Sequence, residues 1–152
     1  MTIKKYIIGL TSGTFDLINV GHIDLLHKAK KFCDYLIVAI NSDELVLTYK
    51  LIPPIMPLKE RIKIVSELRC VDRVVIQHEM VSIEQFKILQ ADRFFVGDDY
   101  KNRVDIPGIK WLKDHKKIKF FPYTQHVSSS IIKERIINNA SAILQAQQER
   151  TK

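Results

Sequence analysis

Cysteine is scarce in this 152-residue chain, with two copies, and glycine and proline are modest at five each. Cys33 and Cys70 are far apart, lack C-x-x-C spacing and have apolar neighbours. They read as small core side chains, neither a disulfide framework nor a structural zinc site. No apolar run reaches 18 residues and no apolar segment heads the chain, so no membrane span or secretory leader is expected and the protein reads as cytoplasmic. No Gly-x-Ser-x-Gly elbow occurs, which argues against a serine hydrolase of that kind. Internal repeats and low-complexity segments are also missing.

Acidic residues are in deficit as well: 17 Asp and Glu stand against 24 Lys and Arg, a formal charge of +7. The run Lys110, Lys113, Lys116, Lys117 and Lys119 raises the question of nucleic acid. Without base-stacking aromatics or a recognition-helix pattern beside it, the run reads as a solvated helix face and turn, and no nucleic-acid partner is expected. A basic surface also draws in small anionic ligands.

What is present is ordinary globular material, 46% hydrophobic and 27% charged. The length suits one domain, taken as residues 1–144, with a polar tail at 145–152 that reads as frayed. Short apolar runs predict strands at Tyr6–Leu10, Tyr35–Asn41, Arg73–Ile76, Arg93–Gly97 and Lys119–Pro122. Amphipathic spacing predicts helices at Gly21–Phe32, Leu58–Glu67, Ser82–Gln90, Ile109–His115 and Ser129–Leu144. The alternation predicts an α/β fold, a Rossmann-like parallel sheet with helices on both faces. Ile52-Pro53-Pro54-Ile55-Met56-Pro57 is a loop, since prolines exclude a regular helix or central strand there.

The stretch Ser12-Gly13-Thr14-Phe15-Asp16-Leu17-Ile18-Asn19-Val20-Gly21-His22 carries the chemistry. A strand runs into a Gly/Thr turn and then a helix start bearing an imidazole, where backbone N–H groups and the helix dipole favour an anion. Ser128-Ser129-Ser130 opens a second helix, as a cap or as a phosphate contact.

In order along the chain, Gly13-Thr14-Phe15-Asp16 with Gly21-His22, Cys33 to Glu44, Leu58-Lys59-Glu60-Arg61, Leu68-Arg69-Cys70-Val71-Asp72, Phe95-Val96-Gly97-Asp98-Asp99 and Pro122 to Lys133 resemble the HxGH nucleotidyltransferases. Among these the chain is similar to the small bacterial cytidylyltransferases of the glycerol-3-phosphate type. The first signature histidine of that family falls on Asn19.

The resemblance implies transfer of CMP from CTP to a small phosphorylated alcohol, giving a CDP-alcohol and pyrophosphate, in a homodimer, with Mg2+ carried by the nucleotide phosphates. It implies catalytic roles for His22, Asn19 and Arg69, and nucleotide contacts from Thr14, Phe15, Asn19, Gly21, His22, Lys50, Tyr123, Thr124, Ser128, Ser129 and Ser130. Lys50 is placed in a loop after the second strand, and Arg61 orders its helix and loop. Asp16 and the pair Asp98-Asp99 either organise the site or help position the metal; no ligand set is assigned. Tyr123 and His126 stand where the typical member has arginine and glycine. Because an amide carries no positive charge, Asn19 leaves open a nucleotide-binding protein with impaired turnover. An adenylyltransferase of the same fold remains a further alternative.

Overall fold

The computed structural model describes residues 6–151. Five parallel strands form one sheet in the order β3-β2-β1-β4-β5, with β1 at Tyr6–Gly13, β2 at Cys33–Asn41, β3 at Arg73–Gln77, β4 at Arg93–Gly97 and β5 at Ile118–Phe121. Helices α1 (Val20–Lys30), α2 (Asp43–Lys50), α3 (Leu58–Ser66), α4 (Ile83–Ile88), α5 (Pro107–Asp114), α6 (Ser129–Asn138) and α7 (Ala140–Arg150) complete the chain.

The strands in the middle of the sheet are continuous apolar runs because both faces are covered. On one face Leu10, Ile37, Ala39, Phe94 and Val96 pack against Phe86 of α4 and Ile109 and Leu112 of α5. On the other, Leu36, Val38, Ile40 and Phe95 meet Leu26 and Ala29 of α1 and Val65 of α3. Cys33 and Cys70 are both buried in this second cluster. Gly108 lets the start of α5 approach Val81, whose carbonyl occupies the place a Cβ would take.

Chain order reverses between β1 and β4: β1 leads outward through β2 to β3, and the chain then returns to lay β4 on the opposite side of β1. In such sheets the crevice beyond the carboxyl ends of the strands, at this switch point, is the natural ligand site.

Three features differ from the sequence expectation. The segment after β2 is a helix, α2, started by Ser42, whose side chain accepts from Leu45 N at 3.1 Å; Lys50 is therefore the last helical residue and not a loop residue. The expected helix Ser129–Leu144 is two helices, α6 and α7, divided at Asn139. The second runs through residue 144 to Arg150 because Ala, Leu, Gln, Glu and Arg are good helix formers even where nothing is buried. Three lysines of the basic run are engaged locally: Lys110 pairs with Asp114 at 2.7 Å, Lys113 donates to Lys101 O and Lys119 lies over the Phe32 ring at 4.5 Å.

Candidate active site

A cavity of about 300 Å³ opens at the switch point. Its floor is the turn after β1. Phe15 and Leu17 both take left-handed backbone conformations, at φ 54 and 47, unusual for side chains of this size. Asp16, between them, is buried and fixes the turn to the proline loop: its two carboxylate oxygens each accept a backbone N–H at 2.9 Å, from Ile55 and Met56, and Lys133 lies 3.6 Å away. Burial pushes the Asp16 carboxyl up, but these N–H donors and Lys133 outweigh it and hold the pKa below the usual value. With both oxygens committed, Asp16 organises the site.

Arg61 performs the same task from α3. Its guanidinium is wholly buried and donates to Met56 O at 3.0 Å, Thr14 O at 2.6 Å and Asn41 O at 2.9 Å, and pairs with Asp43. One side chain thus ties the ends of β1 and β2 to α2 and to the proline loop, as the sequence suggested for it.

Asn19 caps α1. Its Oδ1 accepts from Gly21 N at 2.9 Å and from the His22 backbone, while Nδ2 donates to Leu17 O at 3.1 Å, leaving one amide N–H for a ligand. In return Asn19 N donates to His22 Nδ1 at 3.2 Å, completing a capping box in which histidine takes the place of the usual glutamate. Nδ1 is therefore the acceptor nitrogen, and the ring proton sits on Nε2. Burial, reinforced by Lys50 and only partly opposed by Asp16, lowers the His22 pKa to about 4. At neutral pH the group is an uncharged N–H donor, its ring tilted by 44° against the buried Phe15 ring with centroids 5.3 Å apart.

A second helix start closes on the first. Ser128 caps α6 by accepting from Ile131 N at 3.2 Å, and the Ser129 hydroxyl donates to Asp16 O. A Cβ on Gly21 would stand 3.1 Å from Asn19 Oδ1 and 3.3 Å from Val127 O, so glycine is what lets the two N-termini abut. Both positive helix ends point at one cavity, suiting it to a polyphosphate.

The structure gathers Thr14, Phe15, Asp16, Asn19, Gly21, His22, Lys50, Tyr123, Thr124, Ser128 and Ser129 around this space. It leaves out three others. Arg69 is exposed beyond the end of α3. Since α3 carries the chain back to the amino end of the sheet, a residue shortly before β3 lies at the edge opposite the cavity. Ser130 is exposed and does not line it, because consecutive positions at a helix start point in different directions. Asp98 turns aside to accept from Tyr123 N at 3.0 Å, and Asp99 takes the place in the cavity wall.

Several lining residues escaped the sequence reading. Leu25 and Lys28 continue the face of His22 at three-residue steps, a spacing that could have found them. Asn41 and Tyr49 belong to a polar chain that runs from the buried Gln77 to the exposed Tyr49: Gln77 Nε2 donates to Asn41 Oδ1 at 2.8 Å, Asn41 Nδ2 donates to Tyr49 Oη at 3.0 Å, and that hydroxyl lies 2.8 Å from Thr14 Oγ1. Only the fold brings these four together.

A family model described as Cytidylyltransferase-like matches residues 10–135. The glycerol-3-phosphate cytidylyltransferase of Bacillus subtilis (strain 168) is 37% identical over 128 residues, which cover 84% of this chain and 95% of that protein. The bifunctional protein HldE of Helicobacter pylori (strain Shi470) is 37% identical over 130 residues, 85% of this chain but 27% of the larger relative. Among solved structures, the lipopolysaccharide core biosynthesis protein from Thermoplasma volcanium GSS1 superposes with a TM-score of 0.64 at 26% identity, covering 80% of this chain and 99% of that one. The pantoate-beta-alanine ligase from Francisella tularensis shares the fold, with a TM-score of 0.55 at 21% identity over 82% of this chain and 62% of that one. The phosphate-shaped crevice and the family match across residues 10–135 agree, and the chain belongs to the cytidylyltransferase-like family of nucleotidyltransferases.

Proposed function

We propose that the protein transfers CMP from CTP to a small phosphorylated alcohol. An oxygen of the acceptor phosphate forms a bond to the α-phosphorus, the α–β P–O bond breaks, and its electron pair leaves with pyrophosphate. The observation that carries this reading is the neutral His22, its Nδ1 locked by Asn19 N, set where the N-termini of α1 and α6 meet. The Nε2–H, the amides at the two helix starts, Lys28 and Lys50 supply donors and positive charge for the phosphates.

The side chains fit a magnesium ion that arrives with the triphosphate. Among the described residues no group of three or more His, Cys, Asp or Glu is placed to hold a metal, and Asp16 has no free oxygen. Bound in this way, the ion would supply charge neutralisation on the phosphates. A homodimer is part of the same reading and is tested by light scattering. Among the described residues no helix is long and apolar enough to cross a membrane.

Calorimetric titration of CTP and ATP with Mg2+, followed by pyrophosphate release with a panel of phosphorylated alcohols, tests the assignment. CTP binding with release supports it; preference for ATP redirects it to adenylyl transfer, and failure of both nucleotides to bind overturns it. A second reading, nucleotide binding with impaired turnover, is favoured by the use of Asn19 as a cap. Asn19→His decides between the two. A rise in kcat of about 10²- to 10³-fold, the worth of a regained donor, marks the native chain as impaired. An unchanged or lower kcat shows that asparagine suffices.

A further inference from the structure

Two amides and two hydroxyls on the α2 side of the cavity form a chain whose donors all point the same way. Gln77 and Asn41 are buried, and Gln77 Nε2 donates to Asn41 Oδ1 at 2.8 Å. The other side of the Asn41 amide faces Tyr49 Oη at 3.0 Å, Thr14 Oγ1 at 3.4 Å and Met80 Sδ at 3.9 Å. A thioether has no hydrogen to give, so the group turned toward Met80 is the NH2. Tyr49 Oη therefore accepts from Asn41, and it also lies 2.8 Å from Thr14 Oγ1.

The proton count of this hydroxyl pair fixes what it offers a ligand. Two hydroxyls hold two protons, and one of these is used in the bond between them. Asn41 donates to the pair and takes no proton from it, so the second proton is left for the cavity, which both Thr14 and Tyr49 line. A phenol is far more acidic than an aliphatic alcohol, so Tyr49 is the donor within the pair and Thr14 keeps the spare O–H. Donors thus run from Gln77 through Asn41 and Tyr49 to Thr14, each bond polarising the next. Lys50 follows Tyr49 in the same wall and adds positive charge. An oxygen that only accepts, as on an ionised phosphate, completes such a chain, whereas a ligand N–H or carbon leaves its last proton unmatched. We infer that Tyr49, oriented by Asn41, is a positioning residue that commits the Thr14 hydroxyl to donating to a phosphate oxygen in the cavity. This rests on the proposed nucleotidyl transfer and adds to it a residue of α2 that sets the direction of a hydrogen bond at the phosphate turn. The oxygen belongs to the nucleotide or to the acceptor, and the test separates the two.

Calorimetry on the full chain, Thr14→Val, Tyr49→Phe and the double variant measures binding of the non-reacting analogue α,β-methylene-CTP with Mg2+, then of glycerol 3-phosphate to the saturated complex. Thr14→Val should weaken one of these ligands about tenfold, the worth of a donor to a charged oxygen, and Tyr49→Phe should weaken the same ligand about fivefold. In the Thr14→Val background Tyr49→Phe should cost less than about twofold, because its effect passes through the missing hydroxyl. Thr14→Ser, which keeps the hydroxyl, should stay within about threefold of the native chain. A loss in the first titration assigns the oxygen to the nucleotide, and a loss confined to the second assigns it to the acceptor. A Tyr49→Phe loss that is undiminished in the Thr14→Val background overturns the inference. Unchanged affinities in both single variants overturn it too, and a fall in Tm alone would then mark the chain as structural. If the analogue does not bind the native chain at all, it is the nucleotide reading that fails, and the same four proteins titrated with pyrophosphate still report the coupling.

Discussion

His22 is a histidine that does not need to be charged. Below pH 6.5 the unfolded chain takes up a proton on this ring that the folded chain refuses until about pH 4. Its contribution to stability is therefore full above pH 6.5 and is lost as the pH falls through that window, by up to roughly 3 kcal/mol. Asp16 acts in the same direction at lower pH, because protonation removes the acceptor that holds Ile55 and Met56. Nitrogen NMR of the ring should show the Nε2–H tautomer at neutral pH and a midpoint near 4. A midpoint near 6.5 would refute the locked geometry. At this scale the sequence disclosed the histidine and the cap-forming asparagine, but not that they bond to each other, since a capping box with histidine at its third position falls outside the usual Glu/Gln pattern.

The elements of the site are held by a few buried side chains, and Arg61 is the strongest case. Arg61→Ala would leave three carbonyls and Asp43 without their donor, at a cost of about 3–5 kcal/mol. Arg61→Lys should recover little, because one ammonium cannot reach four separated acceptors. Urea unfolding checks both, and an unfolding free energy within about 1 kcal/mol of the native protein's would contradict this role. Gly21→Ala should push the starts of α1 and α6 apart and weaken nucleotide binding about tenfold with a modest fall in Tm; unchanged affinity would mean that the abutment is not needed. Four of the five strands were legible to within two residues because buried parallel strands are bare apolar runs. β1 was read three residues short, since Thr11, Ser12 and Gly13 mask its end. α2 was missed because Val46, Thr48 and Tyr49 are indifferent helix formers just before the prolines, although Ser42 followed by Asp43 and Glu44 is a helix-start signature. Arg69, read from a motif alone, lies outside the cavity wall of this chain.

At the scale of the whole molecule, the cavity collects residues from β1, α1, α2, β4 and the β5–α6 connection, while α7 contributes none. No residue of α7 is buried, and the family match ends at residue 135, before α7 begins. Ending the chain after Asn139 should therefore leave the Tm within about 2 °C and the nucleotide affinity within about twofold. A larger drop in either, measured by thermal unfolding and calorimetry, would show that α7 is a working part of the fold. The parallel architecture was legible because alternating strand and helix patterns admit few other arrangements. The site was only half legible, since Asn41 and Tyr49 become its neighbours only when β2 flanks β1.

The closure of Asp16 on Ile55 and Met56, of Thr14 on Arg61 and of Gly21 on Val127 also sets a timetable for synthesis. The phosphate turn leaves the ribosome ahead of its anchors, which follow some forty residues later, and of its opposing wall, which follows more than a hundred residues later. A nascent chain arrested before α6 has emerged would carry the whole signature motif and still be unable to retain a nucleotide.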